Sequence, residues 1–383
     1  MYNKNEIWLD ENHVKPITVN YENKPCYDII ISDSFEGFGL QLETLNISER
    51  KLCIVSDSNV SPLYLDEILS ITKSKSKSVI SVTIPAGEES KNLDNVNKIY
   101  EELIINKFDR NDLLIALGGG VVGDLTGFCA ATFLRGIKFI QVPTTLLSQV
   151  DSSIGGKTGV DFKAYKNMVG AFHQPSLVYI NVSTLNSLPR RVFLSGMGEI
   201  IKHGIIKDKE YFYSLLTNAE KIVNRDTNEL IEMIYNSCII KKLVVESDPK
   251  EAGERALLNF GHTIGHAIEK LYNFKYLHGE CVALGMVVAS RISKNKGFIS
   301  ENEVNAIIKS ISVFELPIQI TDLKAEKIIE VTKNDKKMDK DKIKFILMDK
   351  IGHAFIDTSI NDEDMKKAIL ETSDFDQVFG AAD

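Results

Sequence analysis

Long apolar runs, paired cysteines and an excess of basic residues are all lacking in this sequence. No apolar run is long enough to span a membrane, and the first residues lack the charged-then-apolar design of a signal peptide, so we expect a cytoplasmic protein. The five cysteines are scattered and form no Cys-x-x-Cys pair, which argues against a disulfide framework and a thiolate metal site. A net charge of -8 argues against nucleic-acid binding, because phosphate recognition needs a basic face.

The first half of the chain has the pattern of an α/β domain. A length of 383 residues suits two domains, each large enough for its own core. Short apolar runs alternate with helical stretches, which predicts a Rossmann-like parallel sheet. The predicted strands are Tyr27 to Ile31, Leu52 to Val55, Val79 to Ile84, Leu113 to Leu117, Phe139 to Val142 and Leu177 to Ile180.

The second half has helical periodicity. From Pro189 onward the pattern predicts helices, apart from a hairpin at Ile343 to Met348 and Ala354 to Ile356. We place the boundary near Leu185. The sequence therefore predicts an α/β domain over residues 1–185 and a mainly helical domain over 186–383.

A polar stripe stands out in the helical half. At about 100° per residue, Arg255, Asn259, His262 and His266 fall within an arc of about 60° on one helix. Burying these groups without partners costs several kcal/mol, so something charged must face them. The alternative is a solvated helix face, but the opposite side of the segment is apolar. The pattern favours a helix that faces an active site.

A glycine-rich turn follows the strand that ends at Leu117. Residues 118–124 read Gly-Gly-Gly-Val-Val-Gly-Asp and precede a helical stretch from Leu125 to Phe133. Such a turn lets backbone amides approach a pyrophosphate. The acidic residue expected about twenty positions later is missing, so Asp57 and Asn59 are candidates for ribose binding. The alternative is a turn that only permits close packing of strand and helix.

A second polar loop precedes the boundary. Residues 151–160 read Asp-Ser-Ser-Ile-Gly-Gly-Lys-Thr-Gly-Val, and Lys166 and Asn167 follow shortly. The Gly-Gly-Lys-Thr turn suits a phosphate or polyhydroxy ligand. It is not a Walker loop, since Asp151 stands where that motif has its first glycine. Lysines in loops are commonly only solvated. Here Lys157 and Lys166 share one short stretch with Asp151 and Asn167, which favours a ligand role.

Histidine spacing raises the possibility of a metal site. His262 and His266 are spaced like two ligands on one helix, and His278 follows. Thr263 stands where a zinc protease has its glutamate, so the general base is absent, which argues against that class. Glu199 could supply a carboxylate, with Lys202 on the same helix face at i+3, although the two could equally form a surface ion pair.

Together these motifs resemble the 3-dehydroquinate synthase family, a group of sugar phosphate cyclases. Further motifs are Gln-Val-Pro-Thr-Thr-Leu-Leu at 141–147, Lys-Asn-Met-Val-Gly-Ala-Phe at 166–172, Gly-Met-Gly-Glu-Ile-Ile-Lys at 196–202 and Leu-His-Gly-Glu at 277–280. The resemblance runs from Asp57 to Lys337. It implies a nucleotide-binding domain and a helical metal-binding domain, with the active site in the cleft between them.

The resemblance also implies residue roles. Glu199, His262 and His278 match zinc (or cobalt) ligands, and His266 matches a substrate contact instead of a ligand. The matches to NAD contacts are Asp57, Asn59, Glu88, Lys91, Gly119, Gly120, Asp124, Thr144, Thr145, Thr184 and Ser187, together with Lys157 and Lys166. The matches to groups around substrate are Lys157, Lys166, Asn167, Lys202, Lys241, Arg255 and Asn259, with Asp151 beside them. Arg135 matches a residue that reaches a neighbouring subunit, which implies a homodimer. Lys336 or Lys337 matches a phosphate contact.

The implied activity is that of a lyase of the shikimate pathway. The family converts 3-deoxy-D-arabino-heptulosonate 7-phosphate to 3-dehydroquinate and phosphate by transient oxidation with NAD, phosphate elimination, re-reduction and intramolecular aldol cyclisation. Gly198, Asp161 and Tyr165 depart from the family's usual residues, but none of these changes removes a charged or ligating group. The alternatives are a cyclase acting on sedoheptulose 7-phosphate or glucose 6-phosphate, a metal-dependent polyol dehydrogenase, and a non-enzymatic binding module. Arg255 and Asn259 argue against a substrate that lacks a carboxylate.

Overall fold

The computed structural model describes residues 7, 14–163, 165–251, 253–273, 275–335 and 343–373. Lys336 and Lys337, one of which is a predicted phosphate contact, lie outside these residues. The chain divides into two compact units. The first comprises Tyr2–Leu188 with Leu230–Lys250, and the second comprises Pro189–Glu229 with Glu251–Asp383. Residues 230–250 thus belong to the first unit, and the domain boundary predicted near Leu185 stays a prediction.

The first unit is built on a seven-stranded sheet with the order β1-β2-β9-β6-β5-β3-β4. All neighbouring strands are parallel except β1 and β2. Its strands are β1 (Ile17–Tyr21), β2 (Lys24–Ser32), β3 (Lys51–Asp57), β4 (Ser78–Ile84), β5 (Leu113–Gly118), β6 (Lys138–Pro143) and β9 (Leu177–Asn181). The six strands predicted from apolar runs are confirmed, and β1 is an addition.

Alternating side chains explain why this sheet is covered on both faces. In β5, Leu114 and Ala116 join one apolar cluster, whereas Leu113, Ile115 and Leu117 join another. Since successive strand residues point to opposite faces, both faces of β5 are buried, as in α/β proteins. The helices of this unit are α1 (Phe38–Thr44), α2 (Ser61–Lys73), α3 (Leu93–Ile105), α4 (Gly120–Thr132) and most of α8 (Thr227–Ser247).

A separate hairpin of β7 (Lys157–Phe162) and β8 (Tyr165–Phe172) also belongs to the first unit. The sequence predicts a ligand-binding turn through Lys157 and Thr158, but these two residues begin β7. The turn is limited to Gly155 and Gly156, both of which have positive φ angles. The predicted helical stretch from Leu125 is also wrong at its start, because α4 begins at Gly120.

The second unit is mainly helical, as predicted. Its helices are α5 (Arg190–Lys207), α6 (Lys209–Thr217), α7 (Ala219–Val223), α9 (His262–Leu271), α10 (His278–Asn295), α11 (Glu301–Val313), α12 (Ala325–Asp335) and α13 (Asp362–Ser373), with the first residues of α8. The predicted hairpin is present as β10 (Phe345–Lys350) and β11 (His353–Asp357). Among the described helices, none combines the length and apolarity needed to cross a membrane.

The polar stripe does not lie on one helix, so this prediction is wrong. Arg255 and Asn259 belong to a 3-10 helix, Glu254–Asn259, and α9 begins at His262. Gly261 separates them with φ of 80°, a left-handed conformation that L side chains rarely adopt. A Cβ at Gly261 would lie 2.8 Å from the carbonyl oxygen of Val282 in α10. The break therefore lets the chain turn where it packs closely against α10.

Candidate active site

Helix α5 holds a buried ion pair between Glu199 and Lys202. The side chains of Glu199 and Lys202 are each 1% exposed, and Lys202 Nζ donates a hydrogen bond to Glu199 Oε2. The alternative prediction of a surface ion pair is therefore wrong. Because a buried carboxylate is costly without partners, Lys202 stabilises the charge of Glu199 at this position.

The second carboxylate oxygen of Glu199 faces two histidines. His262 Nε2 lies 3.4 Å from Glu199 Oε1, and His278 Nε2 lies 3.6 Å from the same atom. Within the described residues, this buried oxygen has no well-formed hydrogen bond. One carboxylate oxygen and two imidazole nitrogens form a donor set that suits a divalent cation such as zinc. The chemistry of these three residues fits the metal that the resemblance implies.

The Nδ1 atoms of His262 and His278, which lie on the far side of each ring from Glu199, also face acceptors. His262 Nδ1 lies 3.2 Å from the carbonyl oxygen of Phe260. His278 Nδ1 lies 3.7 Å from Glu269 Oε2. Metal-binding histidines commonly have such an acceptor behind them, because it leaves the opposite nitrogen available to the metal. Sequence reasoning missed Glu269, although its position seven residues after His262 places both on one face of α9.

His266 lies near both of these histidines. The side-chain nitrogens that His262, His266 and His278 offer lie within 4.8 Å of one another. Distance alone therefore permits His266 as a ligand. Its side chain is exposed, however, whereas His262 and His278 are partly buried and each contacts Glu199. An exposed imidazole beside a metal set is suitably placed to meet a substrate.

The charges in this cluster favour an ionised carboxylate. Burial opposes ionisation of Glu199, but Lys202 and the two histidines outweigh it and hold the pKa of Glu199 well below its usual range. Burial lowers the pKa of His262 well below its usual value, so that this imidazole is neutral. Burial also lowers the pKa of His278, but the attraction of the nearby carboxylates of Glu199 and Glu269 outweighs it and raises that pKa to about 10. A metal that binds His278 must therefore displace a proton.

In the first unit, the predicted NAD contacts follow the carboxyl ends of neighbouring parallel strands. These positions are Asp57 and Asn59 after β3, Glu88 and Lys91 after β4, Gly119, Gly120 and Asp124 after β5, Thr144 and Thr145 after β6, and Thr184 and Ser187 after β9. In the sheet, β3 and β5 are neighbours. The chain passes from β3 to β4 in one direction along the sheet, and from β5 to β6 in the opposite direction. Open α/β sheets bind nucleotides at the point where this direction reverses, which in this sheet lies between β3 and β5.

The glycines at this edge permit both close packing and amide exposure. A Cβ at Gly119 would lie 3.1 Å from Thr145 Cγ2, and one at Gly120 would lie 3.0 Å from Ser152 Oγ. The backbone N–H of Thr144 donates to the carbonyl oxygen of Gly118 at 3.0 Å. These short distances support the alternative that the glycine-rich turn permits close packing of strand and helix. Because α4 begins at Gly120, its first amides remain available to an anion.

Lys91 connects the carboxyl edge of the sheet to the β7–β8 hairpin. Its Nζ atom donates to Asp124 Oδ2 at 2.6 Å and to Asn167 Oδ1 at 2.5 Å. Asp161, at one of the positions that depart from the family, accepts the backbone N–H of Asn167 at 2.8 Å and donates its own N–H to the Lys91 carbonyl at 2.8 Å. Burial opposes the charge of Lys91, but Asp124 and Glu88 outweigh it and raise the pKa of Lys91. Burial raises the pKa of Asp124, although Lys91 opposes this change.

Other predicted residues have local partners in the same unit. Lys241, which is nearly buried, pairs with the carboxylate of Asp151. Asp57 Oδ1 accepts the N–H of Asn59 at 2.8 Å. Ser187 Oγ lies 2.6 Å from the hydroxyl of Tyr64, which sequence reasoning missed. Lys157 is exposed and Lys166 is half-buried on the hairpin.

Three further predicted residues have contrasting environments. Arg135 is exposed in a tight turn, with φ of 70° at Arg135 and 49° at Leu134. Arg255 is a large, fully buried side chain of the second unit. Asn259 Nδ2 donates to Glu251 Oε1 at 3.3 Å.

Solved structures define the class of fold. A 2-deoxy-scyllo-inosose synthase complexed with carbaglucose-6-phosphate, NAD+ and Co2+ has a TM-score of 0.83 at 24% identity, covering 94% of this chain and 100% of its own. ValA, the 2-epi-5-epi-valiolone synthase from Streptomyces hygroscopicus with NAD+ and Zn2+, has a TM-score of 0.85 at 23% identity, covering 92% and 98%. The fold is that of the sugar phosphate cyclases.

Sequence comparisons identify the family within that class. The 3-dehydroquinate synthase N-terminal family model matches residues 81–195, and the C-terminal one matches residues 196–338. The 3-dehydroquinate synthase of Acetivibrio thermocellus is 44% identical over 354 residues, covering 92% of this chain and 98% of the relative. That of Syntrophotalea carbinolica is 47% identical over 308 residues, covering 80% and 85%. The chain belongs to the 3-dehydroquinate synthase family, as its motifs predict, and is an enzyme of that type.

Proposed function

We propose that this protein converts 3-deoxy-D-arabino-heptulosonate 7-phosphate to 3-dehydroquinate and phosphate. The observation that carries the proposal is the buried Glu199 carboxylate, which pairs with Lys202 through one oxygen and faces His262 and His278 through the other. Relatives of 42% to 47% identity bear the same activity in their names, so another cyclase or a polyol dehydrogenase is not favoured. The reaction is that of a phosphorus–oxygen lyase of the shikimate pathway.

The cofactors that we propose are NAD and zinc, with cobalt as a substitute for zinc. Glu199, His262 and His278 hold the metal, and His266 contacts the substrate. A metal held by these residues would supply Lewis-acid polarisation of a substrate hydroxyl, and NAD would supply transient hydride transfer with no net oxidation. Lys202 holds Glu199 Oε2, which keeps Oε1 directed at the two histidines.

The substrate carries a carboxylate and a phosphate, which requires cationic groups. Lys157, Lys166, Lys202, Lys241 and Arg255 supply these, with Asn167, Asn259 and Asp151 beside them. Arg255 is our candidate for binding the substrate carboxylate, because a guanidinium can bind both oxygens of a carboxylate at once. An acidic protein can hold such a site, since net charge does not describe a local cluster.

NAD binds at the carboxyl edge of the sheet in this proposal. The amides at Gly119, Gly120 and the start of α4 receive the pyrophosphate. Asp57 and Asn59 at the end of β3 are the ribose candidates. The remaining contacts follow the neighbouring strands: Glu88, Lys91, Asp124, Thr144, Thr145, Thr184 and Ser187, with Lys157 and Lys166 of the hairpin.

We also propose a cytoplasmic homodimer. The exposure of Arg135 supports this assembly, because an exposed guanidinium is accessible to a neighbouring subunit.

Phosphate release by the purified protein tests the function. The protein, with zinc and a catalytic amount of NAD, receives either the heptulosonate phosphate or sedoheptulose 7-phosphate. We expect phosphate from the first substrate alone, without accumulation of NADH. Release from only the second would assign the protein to another cyclase, and steady NADH formation would indicate a dehydrogenase.

A further inference from the structure

Glu269 of α9 is a buried carboxylate for which the proposed reaction gives no role. Only 8% of the residue is exposed. Its Oε2 atom lies 3.7 Å from His278 Nδ1, at the start of the neighbouring helix α10. Because a buried carboxylate is costly, it persists only where it has a compensating partner. Its contact with His278 connects it to the proposed metal set.

The His278 ring lies between two carboxylates. Its Nε2 atom is 3.6 Å from Glu199 Oε1, and its Nδ1 atom faces Glu269. A neutral imidazole carries one proton, and only the nitrogen without that proton can bind a metal. An acceptor at Nδ1 keeps the proton there and leaves the lone pair on Nε2.

We propose that Glu269 is a positioning residue for the metal site, which sets the tautomer and orientation of His278. The inference rests on the ligand set of the proposed function. His262 has a comparable arrangement, because its Nδ1 lies 3.2 Å from the Phe260 carbonyl. The acceptor behind His262 is backbone, which mutation of a side chain does not remove. Glu269 is a side chain, so its contribution can be measured.

The separation of 3.7 Å between Glu269 Oε2 and His278 Nδ1 is longer than a formed hydrogen bond, so the negative charge of the carboxylate acts on the Nδ1–H across this distance. Charge therefore contributes to the orientation, and an uncharged replacement of the same shape should be weaker. Glu269→Gln keeps the size of the side chain and removes its charge. Glu269→Asp keeps the charge and shortens the side chain. The two variants therefore separate the effect of the carboxylate's charge from the effect of the side chain's length.

Metal affinity of the full chain tests the role without any need for turnover. Metal-free protein is titrated with zinc against a chromophoric chelator, and the visible spectrum of the cobalt form reports ligand geometry. We expect Glu269→Gln to weaken zinc binding by about 10- to 100-fold and to alter the cobalt spectrum. Glu269→Asp should fall between this variant and the wild type. The matched control is Glu246→Gln. Glu246 is a half-buried carboxylate of the first unit and accepts hydrogen bonds from Asn20.

The outcomes separate this inference from the proposed function. A Glu269→Gln protein that binds zinc within about twofold of the wild type, with an unchanged cobalt spectrum, would overturn the inference alone. An equal loss of affinity in Glu246→Gln would also overturn it, because the effect would then be general. A wild-type chain that binds no zinc would overturn the proposed ligand set and this inference with it. If Glu269→Gln does not fold, an affinity of Glu269→Asp equal to that of the wild type overturns the role.

Discussion

Gly198 of α5 and Gly279 of α10 meet at their backbones, directly beside two of the proposed metal ligands. A Cβ at Gly198 would lie 2.6 Å from the carbonyl oxygen of Gly279, and one at Gly279 would overlap the carbonyl oxygen of Ser195. The N–H of Gly279 also donates to Ser195 Oγ at 3.1 Å. Glu199 follows the first glycine, and His278 precedes the second. The close approach of these two backbones therefore sets the distance between the two ligands.

Substitution of these glycines should cost stability in a fixed order. Gly279→Ala forces two backbones apart, and we expect a loss of about 3 kcal/mol or more in the free energy of unfolding. Gly198→Ala meets a milder clash, which the better helix propensity of alanine offsets by about 0.5 to 1 kcal/mol. Denaturant unfolding of the metal-free proteins measures both. Equal stability of the two variants would contradict the packing described here.

Zinc content distinguishes the roles of His262 and His266. His262 contacts Glu199 and is partly buried, whereas His266 is exposed. We expect His262→Ala to lose bound zinc and His266→Ala to retain it while losing activity. Metal analysis after gel filtration measures this, with His353→Ala as an exposed control. Equal zinc loss in both variants would make His266 a ligand.

Arg255 should contribute to transition-state binding. As the proposed carboxylate partner, its replacement by alanine should lower kcat/KM by the equivalent of about 2 to 5 kcal/mol. The control is Arg190→Ala, which removes an exposed arginine that pairs with Glu315 and has no role in the proposed site. Steady-state kinetics with the heptulosonate phosphate measure the effect. An unchanged kcat/KM in Arg255→Ala would refute the assignment.

Lys91→Met should lower stability in a manner that depends on pH. The lysine pairs with Asp124 and Asn167, and breaking a buried pair costs about 3 to 5 kcal/mol. Since the pKa of Lys91 is raised in the folded protein, its contribution is complete at pH values below the unfolded pKa. It is lost as the pH rises through the folded pKa.

The measurement is the difference in unfolding free energy between wild type and Lys91→Met from pH 8 upward. This difference should be constant near neutral pH and should shrink in strongly alkaline solution. A difference that grows with pH would contradict the sign of the shift. NAD affinity, measured in parallel, should also fall, because Lys91 is one of the proposed cofactor contacts.

Local patterns were sufficient for most of the fold. Strand β5 and its neighbours are recognisable because continuous apolar runs are needed where both faces of a sheet are buried. The break at Gly261 was missed, since apolar periodicity does not report the sign of φ. A glycine directly before His262 is, however, the kind of signal that ends a helix. The hairpin around Lys157 was missed because β7 and β8 interrupt their apolar residues with glycines and polar residues and so lack a continuous apolar run.

The sequence by itself determined six strands of the main sheet, the helical character of the second half, the motifs and the family, because these depend on local composition and spacing. Only the tertiary structure decided that Glu199, His262 and His278 converge, and that Glu269 lies behind His278. These residues belong to three helices. Their separation depends on how closely backbones pack at Gly198, Gly261 and Gly279, and that distance is a property of the packed helices, which the spacing of residues along the chain does not contain.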